Sequence, residues 1–405
     1  MKIVVANNFY YLRGGSERVL FEEKRILEEN GHQVIPFSRA HPKNEYSDYT
    51  NYFPPIINYE FEKLSLPKKV HTAINIIYNR GAGRTFAKLL EQNQPDLVHA
   101  HNIYGRLTTS VLDAARQYGV PVVMTLYDYK LVCPSYLMLN DGKICYDCKG
   151  GKFYRCIVNR CHKDSLIAST IYCFESYFNK WLAKYSTVRY LICESQLMIK
   201  HLLESGFSKD RLVYIPNFID TSNFEPRFDQ QDYVLYVGRL SKEKGVLTLL
   251  KAVKALRIPV RIVGDGPERK QLEEYASQNC VKNVVFEGRV SDQELKELYK
   301  GSAFLVIPSE CNENSPMVIL EAFAYGKPVI GSRIGGIPEL VESGQTGMLF
   351  EAGDANQLCE CIEALWSNSS MISKLGQNAR HKVESEFSPK SHYDKLITTY
   401  RDALM

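Results

Sequence analysis

Short runs rich in branched and aromatic residues alternate with helix-period segments along this 405-residue chain, and the scheme occurs twice. Strands are expected at 2–6, 33–37, 97–101, 120–126, 190–193 and 212–215, with helices at 16–30, 108–118 and 196–205. The second series has strands at 233–237, 260–263, 284–286, 304–307, 328–330 and 348–350, with helices at 245–256, 268–278, 292–299 and 317–325. A helical crossover between two strands of one sheet makes them parallel and covers the sheet on its faces. The expected fold class is therefore α/β, with two doubly wound, Rossmann-like parallel-sheet domains facing across a cleft. Length agrees, because single cores stop growing at roughly 250–300 residues. The boundary is expected in the polar stretch 220–232, which contains Pro226. That makes 1–222 a first domain and 223–387 a second.

Apolar residues make up 45% and charged residues 24%, as in soluble globular proteins. Met1-Lys2-Ile3-Val4-Val5-Ala6 reads as a first strand rather than a secretory leader, and no run reaches transmembrane length, so a cytoplasmic location is expected. The eleven cysteines, odd in number and unevenly spread, fit reduced thiols. Residues 1–222 carry 28 Lys+Arg against 21 Asp+Glu, a net of +7, whereas the remainder carries 22 against 25, a net of −3. The basic half either meets something anionic, such as the inner face of a membrane, or is an ordinary solvated surface. Nucleic acid is not expected as a partner, since the surplus is modest and no aromatic-basic module is present.

Two glutamates carry the most chemical information. Glu313 and Glu321 bracket Asn314-Ser315-Pro316-Met317-Val318-Ile319-Leu320, just behind the strand at 304–307. Pro316 suits a first helical turn, where its missing N–H is harmless. Glu313 then precedes a helix start, and Glu321 lies one to two turns inside, in an apolar run. An unpaired carboxylate there is expensive, so a ligand hydroxyl or a cation is expected to use its charge. Free N–H groups at the helix start favour an anion such as a diphosphate.

Other strand-end loops fit the same ligand. Gly238-Arg239-Leu240-Ser241-Lys242-Glu243-Lys244-Gly245 offers a planar fork in Arg239 and a point charge in Lys244, enough to clamp two phosphates. A solvated basic loop is the plainer alternative. Gly264-Asp265-Gly266-Pro267 is a tight turn that lets backbone approach a flat ligand, and Gly288-Arg289-Val290 ends a third strand. With Glu313, Glu321, Gly326-Lys327-Pro328-Val329-Ile330 and Gly335-Gly336-Ile337-Pro338-Glu339, this set resembles the retaining glycosyltransferases of family 4, which have the GT-B fold. The resemblance covers essentially the whole chain.

The resemblance implies an acceptor-binding first domain, a donor-binding second domain, and a final segment (388–405) that packs back on the first. It implies transfer of a hexose, with retained anomeric configuration, from a nucleotide diphosphate sugar (UDP-linked) to a glycan or lipid-linked acceptor in surface polysaccharide assembly. Arg239 and Lys244 would hold the diphosphate, Glu321 the ribose hydroxyls, and Glu313 the hydroxyls of the sugar, with the N–H groups of Asn314, Ser315 and Met317 around Pro316 nearby. Gly264 and Asp265 would border the donor, and Arg289 and Val290 the base. Gly14 and Gly15 would let the loop after the first strand approach the donor phosphate, although a plain turn also explains them. No metal or other cofactor is required for such catalysis. A nucleotide-sugar epimerase and a non-catalytic sugar-nucleotide-binding partner subunit are the alternatives.

One position departs from the family pattern. Tyr127, at the end of Val122-Val123-Met124-Thr125-Leu126-Tyr127-Asp128, stands where histidine is usual. A phenol keeps a hydroxyl but carries no positive charge at neutral pH. Asp128 becomes a candidate for touching substrate hydroxyls, or serves a cap or turn. His99 and His101 are read as facing opposite sides of the sheet, with His101-Asn102 reaching the acceptor and His99 buried. Cys145 and Cys148 have zinc-knuckle spacing, and Cys156 and Cys161 follow, so either a structural zinc or four free thiols is expected. Between Glu60 and Gln92, Lys63, Lys68, Lys69, Arg80, Arg84 and Lys88 interleave with Ile74, Ile76, Ile77, Tyr78 and Phe86. That pattern suits either a peripheral membrane contact or an ordinary amphipathic helix.

Overall fold

The computed structural model describes residues 1–57, 65–162, 164–229 and 232–405. Glu60 and Lys63 of the basic stretch, and residues 230–231 of the expected linker, lie outside the described residues. The chain divides into two compact units. The first comprises Met1–Met138, Cys145–Ile215 and Tyr393–Met405, and the second Leu139–Ile144 and Pro216–His392.

The first unit begins with β1 (Lys2–Ala6), β2 (Gln33–Phe37), β3 (Leu97–Ala100) and β4 (Val122–Leu126). Its helices are α1 (Gly15–Glu29), α2 (Leu66–Ile77), α3 (Arg80–Asn93), α4 (Ser110–Gln117), the short α5 (Arg155–Val158), α6 (Leu166–Trp181) and α7 (Gln196–Glu204). A two-stranded hairpin, β5 (Leu139–Asn140) and β6 (Lys143–Ile144), interrupts the series and is counted with the second unit. With β7 (Val188–Cys193) and β8 (Leu212–Tyr214), the sheet runs β2-β1-β3-β4-β7-β8, every pair parallel.

The second unit has β9 (Tyr233–Val237), β10 (Val260–Val263), β11 (Val284–Gly288), β12 (Ser302–Ile307), β13 (Val329–Ser332) and β14 (Gly347–Phe350), in the order β11-β10-β9-β12-β13-β14. Between and after them come α8 (Val246–Val253), α9 (Arg269–Gln278), α10 (Asp292–Gly301), α11 (Met317–Ala324), α12 (Ile337–Leu340), α13 (Ala355–Trp366) and α14 (Ser369–Glu386).

Near-continuous apolar strands, such as the wholly buried β12, are what a sheet covered on both faces requires. Each unit has its own core, the first around Ile3, Val98 and Met124 and the second around Val234, Phe304 and Ile319. The last helix, α15 (Pro389–Leu404), adds Leu396, Ile397, Tyr400 and Ala403 to the first core. Among the described residues the Lys327 ammonium, 1% exposed just before β13, is one of several buried polar groups with no hydrogen-bond partner. Burial pulls it down to about 8, against the opposing charges of Asp229 and Asp232.

Candidate active site

In the second unit the strand order changes direction between β9 and β12, which pair directly. Connections from two such neighbours leave in opposite directions and open a crevice at their carboxyl ends. Lys244 lies in the loop after β9 and Glu313 in the loop after β12. Gly245 ends the first loop at φ +65°, and a Cβ there would stand 1.8 Å from the Pro308 carbonyl oxygen, so only glycine allows the two loops to touch. Beside it the Glu310 N–H donates to the Glu243 carbonyl (2.8 Å), and the Thr248 hydroxyl donates to the Glu310 carboxylate (2.6 Å).

This clasp brings the Lys244 ammonium to 2.5 Å from Glu313 Oε1, which also accepts from the Ser309 hydroxyl at 2.7 Å. Burial pulls Lys244 down, but the Glu313 charge and hydrogen bond outweigh it and the net shift is upward. Burial likewise pushes Glu313 up, yet Lys244 and Ser309 hold it below the usual carboxylate range. Both groups are ionised at neutral pH, and the pair is preformed.

The neighbouring loops join by backbone. Gly264, at φ +132°, places its missing Cβ 1.8 Å from the Gly238 carbonyl oxygen, and the Leu240 N–H donates to the Asp265 carbonyl at 3.0 Å. The Asp265 side chain accepts from the Gly266 N–H, so it shapes the turn. Arg239 and Arg289 are exposed, whereas Val290 packs against the core. Pro316 stands one residue ahead of α11 in extended conformation rather than within its first turn. Asn314 and Ser315 are buried beside it, Met317 is partly buried, and the Ser315 carbonyl accepts from Asn217 at 2.8 Å. Among the described residues, the buried Ser315 hydroxyl and Asn312 amide nitrogen have no protein partner.

Glu321 is 6% exposed, but its carboxylate is not left to a ligand alone, because the Tyr299 hydroxyl of α10 donates to it at 2.9 Å. Tyr299, Ser309 and Asn312 were not singled out from the sequence. Tyr299 falls on the buried face of α10 with Leu298, and that register was the available signal.

The first unit changes strand direction between β1 and β3. Asn7 and Asn8 follow β1 and tie to the end of β3, where the Asn102 N–H donates to Asn7 (3.1 Å) and the Asn8 amide to the Tyr104 carbonyl (2.8 Å). Gly14 and Gly15 are exposed at the start of α1, and a Cβ at Gly14 would make only an ordinary contact, 3.7 Å from Glu17 Oε2.

The expected placement of the two histidines is corrected. His99 and His101 lie on the same side of the sheet, since residues two apart on a strand share a face. Their ring centroids are 4.0 Å apart, and Glu23 Oε2 of α1 lies 3.7 Å from His99 and 3.6 Å from His101. Among the described residues these three form the one acid–imidazole–thiol group whose ligand atoms lie within 4.8 Å of one another. Both His99 nitrogens are already paired, with the Thr125 hydroxyl (2.8 Å) and the Tyr400 hydroxyl (2.7 Å), so the arrangement is a buried hydrogen-bond network.

His101 Nδ1 pairs with the Tyr127 hydroxyl at 2.8 Å. Burial, then the charges of Glu23 and Glu194, push that phenol well above its ordinary value, and it stays neutral. Burial raises Asp128 to about 6, and its carboxylate accepts from the Lys130 N–H at 3.0 Å, a turn contact.

None of the eleven cysteines is in a disulfide. Cys145 accepts from the Asp147 N–H as in a knuckle, and Cys161 pairs with Cys156. No three of the sulfurs of Cys145, Cys148, Cys156 and Cys161 come within 4.8 Å of one another. The basic stretch forms two helices, α2 and α3, and of its apolar residues Ile76 and Phe86 belong to the core while Ile74 is exposed. No helix among the described residues is long and apolar enough to cross a membrane.

Known proteins share this architecture. Sucrose-phosphate synthase from Thermosynechococcus elongatus superimposes with a TM-score of 0.71 at 19% identity, over 99% of this chain and 98% of its own. Anabaena HepE, solved in complex with UDP, gives 0.67 at 18% identity, over 99% and 100%. In sequence, an uncharacterized glycosyltransferase of Methanocaldococcus jannaschii is 33% identical over 55% of this chain and 61% of its own. N-acetyl-alpha-D-glucosaminyl L-malate synthase of Bacillus anthracis is 25% identical over 100% and 98%. The matches to the first three curated relatives span 45–61% of those proteins' length. The family described as Glycosyl transferases group 1 matches residues 218–382, and Glycosyltransferase Family 4 matches residues 13–223, more than half of the chain. With two parallel-sheet units of GT-B type and that match, the chain belongs to glycosyltransferase family 4.

Proposed function

We propose that the protein transfers a hexose from a UDP-linked sugar to a glycan or lipid-linked acceptor, with the anomeric configuration retained. The observation that carries this reading is the preformed Lys244–Glu313 pair at the β9/β12 crevice, with the exposed Arg239 in the loop of Lys244 and Glu313 in the loop that leads into α11. Lys244 and Arg239 would neutralise the departing diphosphate. Fixed charge aimed at a leaving group is commonly the largest catalytic term. Glu313, held by Lys244 and Ser309, keeps an oriented carboxylate for hydroxyls of the sugar. Glu321, positioned by Tyr299, would accept from the ribose. Solved HepE in complex with UDP and glucose supports the donor class, and capsular polysaccharide glycosyltransferase CapM of Staphylococcus aureus supports a role in surface glycans.

On the first unit, Tyr127, His101 and Asn102 offer hydrogen-bonding groups, which suit a hydroxylated acceptor. The test is release of nucleoside diphosphate from a panel of nucleotide sugars, with and without a crude lipid extract. Release from one donor, increased by extract and abolished by Glu321→Ala, is expected. Binding of a donor without release from any would overturn the transferase in favour of an epimerase or a non-catalytic subunit.

A further inference from the structure

We propose that α2 and α6, which pack against one another, form a surface that docks onto an anionic lipid bilayer. The argument begins with an inversion of polarity. Soluble helices bury their apolar stripe and expose the polar one. In α6 the buried positions are Ser169, Cys173, Glu175, Ser176 and Asn179. Their polar groups are used internally: Asn179 accepts from the Thr109 hydroxyl (2.8 Å) and donates to Glu175 (2.6 Å), whose carboxylate lies 2.6 Å from Lys130.

Large apolar side chains point outward instead. Ile167, Phe174 and Trp181 recur every seven residues on one face of α6, and Leu66, Val70 and Ile74 every four on α2. All six are 53–75% exposed. Six large apolar side chains left exposed on two helices that pack together are uncommon on a free soluble surface and mark a site of association.

Charge selects the occupant. The helices α2, α5 and α6 together carry one carboxylate, Glu175, and it is buried against Lys130. Lys68 on α2, Arg155 on α5 (itself packed on α6) and Lys180 near the end of α6 are exposed. Exposed apolar side chains and exposed cations on the same packed helices, with an indole at the end of α6, match the boundary between acyl chains and anionic headgroups. Trp181 also stacks on Tyr177 (centroids 5.0 Å apart), a second amphipathic ring. The basic helix noted in the sequence is thus half of the surface, and its partner is a helix the charge pattern did not reveal.

The surface is independent of the sugar chemistry, and the two are tested separately. The full chain is floated with vesicles of phosphatidylglycerol and phosphatidylcholine, and with phosphatidylcholine alone. Flotation with the anionic vesicles is expected, weakened by salt. It should fall at least tenfold in Phe174→Ser/Trp181→Ser with an unchanged thermal melt, and about fivefold in Lys68→Gln, the effect of one cation near such a surface. Nucleoside diphosphate release by the same variants in solution reports on the transferase reading alone. Equal flotation of wild type and the double variant would overturn the proposal. So would a dimer, seen by light scattering, that the double variant dissolves, because the face would then belong to a second copy of the chain.

Discussion

The two units run their six strands in different orders, β2-β1-β3-β4-β7-β8 and β11-β10-β9-β12-β13-β14, yet each has one place where the order reverses. What the chain puts there differs in kind. At β9/β12 it sets a charged pair, Lys244 and Glu313, in a partly exposed loop clasp. At β1/β3 it sets Asn7, Asn8, His101 and, one strand over, Tyr127, groups that bond to each other and to backbone. The first arrangement suits an anionic ligand that needs compensating charge. The second suits a ligand with hydroxyls, and its cations, Arg13, Arg39 and Arg106, are gathered around the Phe9 ring. The same architecture thus serves two chemistries through its strand-end loops.

The largest test of that contrast is catalytic. Lys244→Ala should lower turnover about 10²–10³-fold at saturating donor. Tyr127→Phe should lower it less than about tenfold, since a neutral hydroxyl is all that is lost. Equal losses would erase the distinction between the units.

Two stability measurements follow. Lys327 has a folded value of about 8, below its ordinary 10.5, so its charged form destabilises the fold below pH 8 and that penalty fades as pH rises towards 10.5. Lys327→Met should therefore stabilise the protein at pH 7 by on the order of 1–3 kcal/mol, with the gain shrinking above pH 8 in thermal melts. Asp128 runs the other way. Its folded value of about 6 lies above the ordinary 3.8, so ionisation destabilises the fold as pH rises through this range. Asp128→Asn, which keeps an acceptor for the Lys130 N–H, should raise the melting temperature at pH 8 and leave it unchanged below pH 4.

The smallest effect expected is at the cysteines. Cys145, Cys148 and Cys161 act on one another electrostatically and Cys161 pairs with Cys156, so the four sulfurs are neighbours. Metal analysis of gently purified protein separates four free thiols, with well under one zinc per chain, from a structural site. One zinc per chain would show that the knuckle closes around a metal.

Much of this could be read from residue order. Alternating β-branched runs and helix-period segments located the twelve sheet strands to within a few residues, because covered parallel strands leave so plain an apolar signature. Glu313 and Lys244 stood out because each follows a strand at a loop rich in glycine or proline. Other features were hidden for physical reasons. Tyr299 meets Glu321 across 22 residues, a pairing that local pattern does not encode. The polarity of α6 was hidden too, since periodicity reveals that a helix has two faces without saying which one is inside. The histidines were a misread period, and two residues along a strand is one full repeat.

The position of α15 has a consequence for biosynthesis. The first unit takes Leu396, Ile397, Tyr400 and Ala403 into its core, and Tyr400 bonds to His99 across 301 residues of sequence. A ribosome releases those residues only after the whole second unit has been made. Domains tend to fold as units in the order of synthesis, but here the unit begun first must be finished last. Until then its core lacks one wall, and the nascent chain carries an open apolar face for as long as the second unit takes to translate.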